Sequence, residues 1–242
     1  MKVSLTRWAA WAPGIDTPDA WRAWAHSPVT LAKEGVPEAK FLPAMLRRRC
    51  TPLTRTMLAA AYACVDAEEL SRLRTVFASR HGSINESIGL LEAVVRREKL
   101  SPATFSHTVH NAQAGLFSIA AGNRAASSSL AAQEDTWACA WLEALTFLER
   151  EPSAPVLVVI GDVPLAETFA ALVDEPAVPY AFACRLASAG GAAGIELTLA
   201  EADAPLPRPP WPHALEFLRW WLSDEPALVQ GSRATRYEFR RT

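Results

Sequence analysis

The run VLVVI, Val156 to Ile160, limits the fold more than any other stretch of this chain. An unbroken apolar run of that length is too short to span a bilayer. It suits a strand buried on both faces, and such a strand needs a covering layer on each side. The rest of the pattern supplies those layers. Val3 to Ala12 reads as a first strand, and Arg74 to Ser79 alternates as another, ending before a turn at Gly82. Thr17-Pro18-Asp19 starts a helix, with Thr as N-cap and Pro in the first turn. Thr51-Pro52 opens a helix to about Cys64, Asp66 to Leu73 adds a further turn or two, and Ser101-Pro102 opens a short turn or helix. Asn85 to Arg97 places Ile88, Leu91, Val94 and Val95 at helical spacing. Asn111 to Ala120 is a small-residue helix expected to be buried. Tyr180 to Ser188 and Gly194 to Ala202 read as a hairpin joined through Ala189-Gly190-Gly191. Beyond a proline-rich link, Pro205 to Pro212, comes a Trp-rich helix with a polar end. Alternating strands and helices make the class α/β, with a central sheet covered on both faces. In such sheets the ligand crevice lies beyond the carboxyl ends of strands.

Composition removes several functions. Half of the 242 residues are hydrophobic, enough for one continuous core, and the formal net charge is −2. A nucleic-acid-binding surface has no electrostatic footprint in so balanced a chain. The opening MKVSLTRWAAWAPG has Arg7 and Pro13 where an export signal needs an apolar stretch, so none is expected. Cys50, Cys64, Cys139 and Cys184 are scattered, with no metal or redox spacing, and suit small hydrophobes in a reducing cytoplasm. The nine Trp suit packing first and a partner surface second.

The chemistry-bearing candidates are few. SSSLAAQEDTWACAWLEAL, Ser127 to Leu145, is a small-residue strand turning into an amphipathic helix. Gln133, Glu134 and Asp135 occupy the turn, where helix N–H groups favour negative charge. Helix-end stabilisation accounts for all three, and catalysis by Glu134 requires burial and a raised pKa. His107 and His110 form an H-x-x-H pair that could share a helix face, but no carboxylate or Cys stands nearby, so hydrogen-bonded structural roles are expected. His81 reads as a loop residue. Arg47-Arg48-Arg49 is a basic run, a solvated face or a steering patch for an acidic protein. Gly122-Asn123-Arg124 is a turn without a phosphate-loop frame, and no Ser sits in a G-x-S-x-G frame. No metal site or cofactor is implied.

TFSHTVHNAQAGLFSIAAGNRAASSSLAAQEDTWACAWLEAL resembles the N-terminal half of the β-ketoacyl synthases, condensing enzymes of the thiolase-like fold. Gly122 to Ser127 looks like the family's turn before the nucleophile strand, with Ala where Gly and Pro are usual. VLVVIGD is similar to the strand after the nucleophile helix, and AFACRLASAGGAAGIELTLAE to a later hairpin. The chain is identified as similar to the short chain length factors of aryl polyene and xanthomonadin-type pathways. The resemblance implies a thiolase-like half: a central mixed sheet covered by helices on both faces. It divides the chain into a synthase-like domain, 1–204, and a Trp-rich helical tail, 205–242, packed on or extending it.

The resemblance places Glu134 at the nucleophile position, with Gln133 adjacent, and Glu134 cannot form the thioester that condensation needs. Cys139 points away from the turn and does not replace the missing sulfur. The two His of the family's C-terminal half are absent, and His107 and His110 precede the nucleophile position. The implied function is therefore a non-catalytic subunit that pairs with a β-ketoacyl synthase, shapes the pocket of the growing acyl chain, and meets an acyl carrier protein indirectly. Phe105, Phe117 and the strand Ser127, Ser128, Ser129, Leu130 are the implied interface or pocket elements. Arg47, Arg48 and Arg49 are the implied carrier-protein contact. The alternative is a malonyl carrier protein decarboxylase acting through the Gln133/Glu134 turn. A stand-alone acyl-binding or regulatory protein has only the apolar core in its favour. Neither nucleic acid nor a membrane span enters any of these readings.

Overall fold

The computed structural model describes residues 2–190, 194–202, 204, 206–232 and 235–242. Eight strands form one mixed sheet in the order β3-β2-β4-β5-β1-β6-β8-β7. In chain order the elements are β1 (Lys2–Trp11), α1 (Pro18–His26), α2 (Ala44–Arg49), α3 (Pro52–Cys64) and α4 (Ala67–Leu70). Next come β2 (Arg74–Ala78), α5 (Ile84–Val95), α6 (Pro102–Phe105), α7 (Ala112–Ala121), β3 (Ser127–Leu130) and α8 (Thr136–Arg150). The chain closes with β4 (Val156–Asp162), β5 (Tyr180–Ser188), β6 (Ile195–Glu201), α9 (His213–Trp221), β7 (Ala227–Gly231) and β8 (Thr235–Arg241).

The VLVVI segment decides the layering as its composition requires. Every residue of β4 is buried. Val156, Val158 and Ile160 face one core with Trp137, Trp141, Phe182, Phe217 and Phe239, under α1, α8 and α9. Leu157 and Val159 face the other with Leu53, Met57, Ala61 and Phe117, under α3 and α7. β2 lies parallel to β3 and β4, and the remaining pairs are antiparallel. The Ser/Thr-Pro signals start helices as expected. Thr17 Oγ1 accepts from Ala20 N at 3.3 Å, Thr51 Oγ1 from Thr54 N at 3.2 Å and Ser101 Oγ from Thr104 N at 3.4 Å. The nine Trp are packing residues: Trp21, Trp24, Trp137, Trp141 and Trp220 are buried, and Trp8, Trp11, Trp211 and Trp221 are half-buried.

Three expectations are corrected. β5 and β6 are not a hairpin, because β1 lies between them and Val3 pairs with both Ser188 and Ile195. The chain steps across the start of β1 and continues in the same direction. That step requires a glycine, since a Cβ at Gly194 would come within 2.9 Å of Val3 O. Gly191 of the expected turn lies outside the described residues. The tail is not simply helical: α9 is followed by β7 and β8, and β8 pairs with β6. The alternation of Tyr237 and Phe239 inward with Arg236, Glu238 and Arg240 carries that strand. Finally, α7 is only half-buried, with Leu116 and Phe117 inside and Ile119 outside.

Candidate functional site

β2, β3 and β4 are mutually parallel, so their carboxyl ends open on the same edge of the sheet. β3 delivers the chain to Ala131-Ala132, and residues Gln133–Asp135 form one 3₁₀ turn before α8. Gln133 holds φ at +52°, a left-handed conformation costing about 1–3 kcal/mol in a residue with a side chain. The turn is tied by Thr136, whose Oγ1 donates to Gln133 O at 2.7 Å and accepts from Ala132 N at 3.0 Å. This is a sharp strand-to-helix elbow, and its strained residue is Gln133, with Glu134 one step on.

Around the elbow the strand ends supply a charged cluster. Asp162, the last residue of β4, is buried beneath the segment after β2. Its carboxylate accepts from Ser79 Oγ at 2.7 Å, Arg80 N at 3.0 Å and His81 N at 3.0 Å. Burial pushes its pKa up, against the pull of those three donors. The Arg80 guanidinium reaches Asp174 at 2.6 Å and Glu175 at 3.3 Å, and His81 Nε2 lies 3.5 Å from Glu175. Desolvation works against the charge on Arg80, but the two carboxylates outweigh it and raise its pKa. Desolvation likewise opposes the charge on Asp174, yet Arg80 and a hydrogen bond from Glu134 hold it low. Glu134 shifts the other way, raised by burial and then by its hydrogen bond to Asp174. His213, the first residue of α9, donates from Nδ1 to Glu134 O at 2.9 Å, and burial lowers its pKa. Arg80, Glu134, Asp174, Glu175, Arg208 and His213 line a cleft of about 280 Å³.

Chemically the elbow offers an amide and a carboxyl group, and no group able to form a thioester. The thiols do not fill the gap. Burial raises the pKa of Cys50, Cys139 and Cys184, and raises that of Cys64 to about 12, the reverse of activation. Cys139 sits beside the Tyr237 hydroxyl on β8, away from the cleft. Among the described residues no group of three or more His, Cys, Asp or Glu is placed to hold a metal.

The remaining sequence candidates are dispersed. His107 and His110 lie in the turns between α6 and α7, so they do not share a helix face. Asn123 is a buried tie, donating to Leu70 O at 2.6 Å and Leu73 O at 2.9 Å. Ser127 Oγ accepts from Thr75 Oγ1 at 2.8 Å, and Ser128 Oγ donates to Glu143 at 2.5 Å. β3 is an edge of the sheet, paired with β2 alone among the described residues. Phe105 is exposed at the end of α6. Phe117 is core, packed on Phe77 at 5.3 Å between ring centroids, which removes it from any surface role. Arg48 and Arg49 are exposed and Arg47 half-buried, on a helix with no buried residue. Sequence reasoning missed Arg80, Asp162, Asp174, Glu175 and His213. The signal available was position: Arg80 and Asp162 stand at carboxyl ends of strands.

Residues 21–239 match the model of the β-ketoacyl synthase N-terminal domain. A chain in the structure of the ketosynthase ApeO in complex with its chain length factor ApeC, from Xenorhabdus doucetiae, is 26% identical with a TM-score of 0.86, and the match covers 100% of both chains. The ishigamide ketosynthase/chain length factor matches at 14% identity and TM-score 0.67, over 83% of this chain and 68% of that one. A β-ketoacyl synthase from Burkholderia phymatum matches at 13% identity and TM-score 0.60, over 84% of this chain and 65% of that one. The latter two show the shared fold. No curated protein matches the chain.

Proposed function

The chain belongs to the β-ketoacyl synthase family, and from that premise we propose that it is a non-catalytic chain length factor. It pairs with a β-ketoacyl synthase and shapes the pocket of the growing acyl chain in aryl polyene, polyketide or fatty-acid-like biosynthesis. The observation that carries the reading is the elbow: a strained strand-to-helix turn made of Gln133, Glu134 and Asp135, with no sulfur nucleophile among them. The full-length match to a chain of a ketosynthase–chain length factor complex supports the pairing. So does the surface, since β3 is an edge of the sheet, paired with β2 alone among the described residues, and edges recruit strands from other chains.

Within this reading, Ser127 to Leu130 and Phe105 face the partner ketosynthase, and Arg47 to Arg49 attract the acidic carrier protein. Residues 1–204 form the synthase-like unit and 205–242 extend its sheet. The cytoplasm is the proposed compartment; among the described residues no helix is long and apolar enough to cross a membrane. Decarboxylation through Glu134 is not favoured: among the described residues no thiolate stands beside the turn, since burial raises the pKa of all four thiols.

Co-expression with a β-ketoacyl synthase from the same gene neighbourhood, where one is present, followed by gel filtration, tests the proposal. Co-elution is expected, with condensing activity and a defined product length lost when this chain is omitted. Carbon dioxide release from malonyl carrier protein by this chain alone, abolished by Glu134→Ala, would establish the decarboxylase instead.

A further inference from the structure

β4 and β5 pair side by side, yet residues 163–179 run between them, far more than the short turn an antiparallel pair needs. A connection of that length without strands of its own is commonly a lid or a binding loop. Among the described residues its regular structure is one 3₁₀ segment, Glu167–Leu172. No described side chain of residues 163–177 is buried, and burial resumes at Val178 and Pro179, where β5 begins. Phe169 N donates to Ala166 O at 2.9 Å within the connection. Among the described residues no backbone-to-backbone hydrogen bond ties residues 163–177 to another element.

Two side-chain clamps hold the connection instead. Asn85, in the first turn of α5, donates from Nδ2 to Pro164 O at 2.9 Å and accepts at Oδ1 from Ala166 N at 2.9 Å. Toward the other end, the Arg80 guanidinium lies 2.6 Å from Asp174 and 3.3 Å from Glu175. Arg80 is itself a fixed post, because its backbone N donates to the buried Asp162. Asp174 and Glu175 form a wall of the elbow cleft, facing it with Glu134 and His213. Behind Glu175, the buried Trp137, Asp162 and Tyr180 close around a space of only about 10 Å³. The connection therefore walls the cleft and shuts off what lies beneath. A segment with no buried side chain and no backbone ladder opens at far lower cost than the sheet beside it unfolds.

We propose that residues 163–177 are a lid over the elbow cleft, latched by Asn85 and Arg80, and that its local opening controls access to Glu134 and His213. The lid belongs to this chain alone and does not depend on the role as a chain length factor. Hydrogen exchange of the purified full chain, read by mass spectrometry on peptides, tests it. Lid amides exchange faster than those of β4 and β5. Asn85→Ala and Arg80→Met each speed exchange in the lid about tenfold and leave β4 and β5 unchanged. Access is read separately, as the rate at which diethyl pyrocarbonate modifies His213, followed on its own peptide. That rate rises in both variants. Circular dichroism establishes that each variant is folded. Asn85→Ala carries the test should Arg80→Met fail to fold, since Asn85 is only half-buried on a helix that buries none of its residues. Unchanged lid exchange in folded Asn85→Ala overturns the latch. Exchange in β4 and β5 rising in step with the lid overturns it too, because the connection is then part of the core. Faster lid exchange with unchanged modification of His213 overturns the control of access.

Discussion

Helices α5 and α9 are both rich in apolar residues, and the fold treats them oppositely. Of the residues of α9, Ala214, Leu215, Glu216, Phe217, Leu218 and Trp220 are buried, and Phe217 meets the rings of Trp137, Trp141, Trp220 and Phe239 at 4.8–5.4 Å. α5 buries none of its residues and leaves Leu91, Val94 and Val95 exposed, Val95 at 82%. Phe105 on α6, Val109 in the turn that follows and Ile119 on α7 are exposed as well. One helix found its partner within the chain. The other presents the kind of face that marks an interaction site when residues cluster rather than scatter. An apolar stripe therefore announces that a surface will be covered, and not by whom.

The largest effect is expected where the covering is internal. Phe217→Ala should remove about 3–5 kcal/mol from the unfolding free energy measured in urea. A loss below about 1 kcal/mol would mean that the aromatic cluster collapses around the vacancy and does not hold α9 in place. On the opposite side of the comparison, Val95→Asp should leave the isolated chain within about 0.5 kcal/mol of its starting stability. It should weaken association with the proposed ketosynthase at least about tenfold in a binding titration. A drop in the stability of the isolated chain instead would place that face inside the fold.

Smaller effects separate the elbow from both regions. Burial lowers the pKa of His213, so the folded state prefers the neutral ring. That preference contributes stability above the ordinary imidazole value of about 6.5 and is lost as pH falls through the depressed folded value. His213→Gln should therefore flatten the decline in melting temperature between pH 7.5 and 5. Glu134 has the opposite sign. Its raised pKa contributes stability at low pH that fades as pH rises through the folded value. Glu134→Gln should raise neutral-pH stability by no more than a few tenths of a kcal/mol, visible as a shift in melting temperature. In the complex it should leave product length unchanged, since Gln133 and the turn geometry remain.

Much of this could be read in the residues. Thr17-Pro18, Thr51-Pro52 and Ser101-Pro102 start helices because each signal is local: one side-chain oxygen meets a backbone N–H three residues on. The elbow was legible for the same reason, since the small-residue strand, the Gln133-Glu134-Asp135 turn and the helix follow one another within a few residues. The hairpin from β5 to β6 was misread because a glycine-containing turn says nothing about a third strand. β1, from the other end of the chain, occupies the slot between them. Phe117 looked available for a partner, but α7 turns it toward Phe77. Arg80, Asp174, Glu175 and His213 gave no joint signal, because 133 positions separate the first from the last and only the sheet brings them together.

By itself, then, the sequence determined the layers and the missing chemistry. VLVVI has no polar face to leave wet, and no residue of the QED turn can become a thiolate. Tertiary structure alone decided which apolar faces were satisfied and which charges met. Those outcomes depend on the lateral order of strands, and strand order is settled by contacts between residues far apart in the chain, where local preference carries no information.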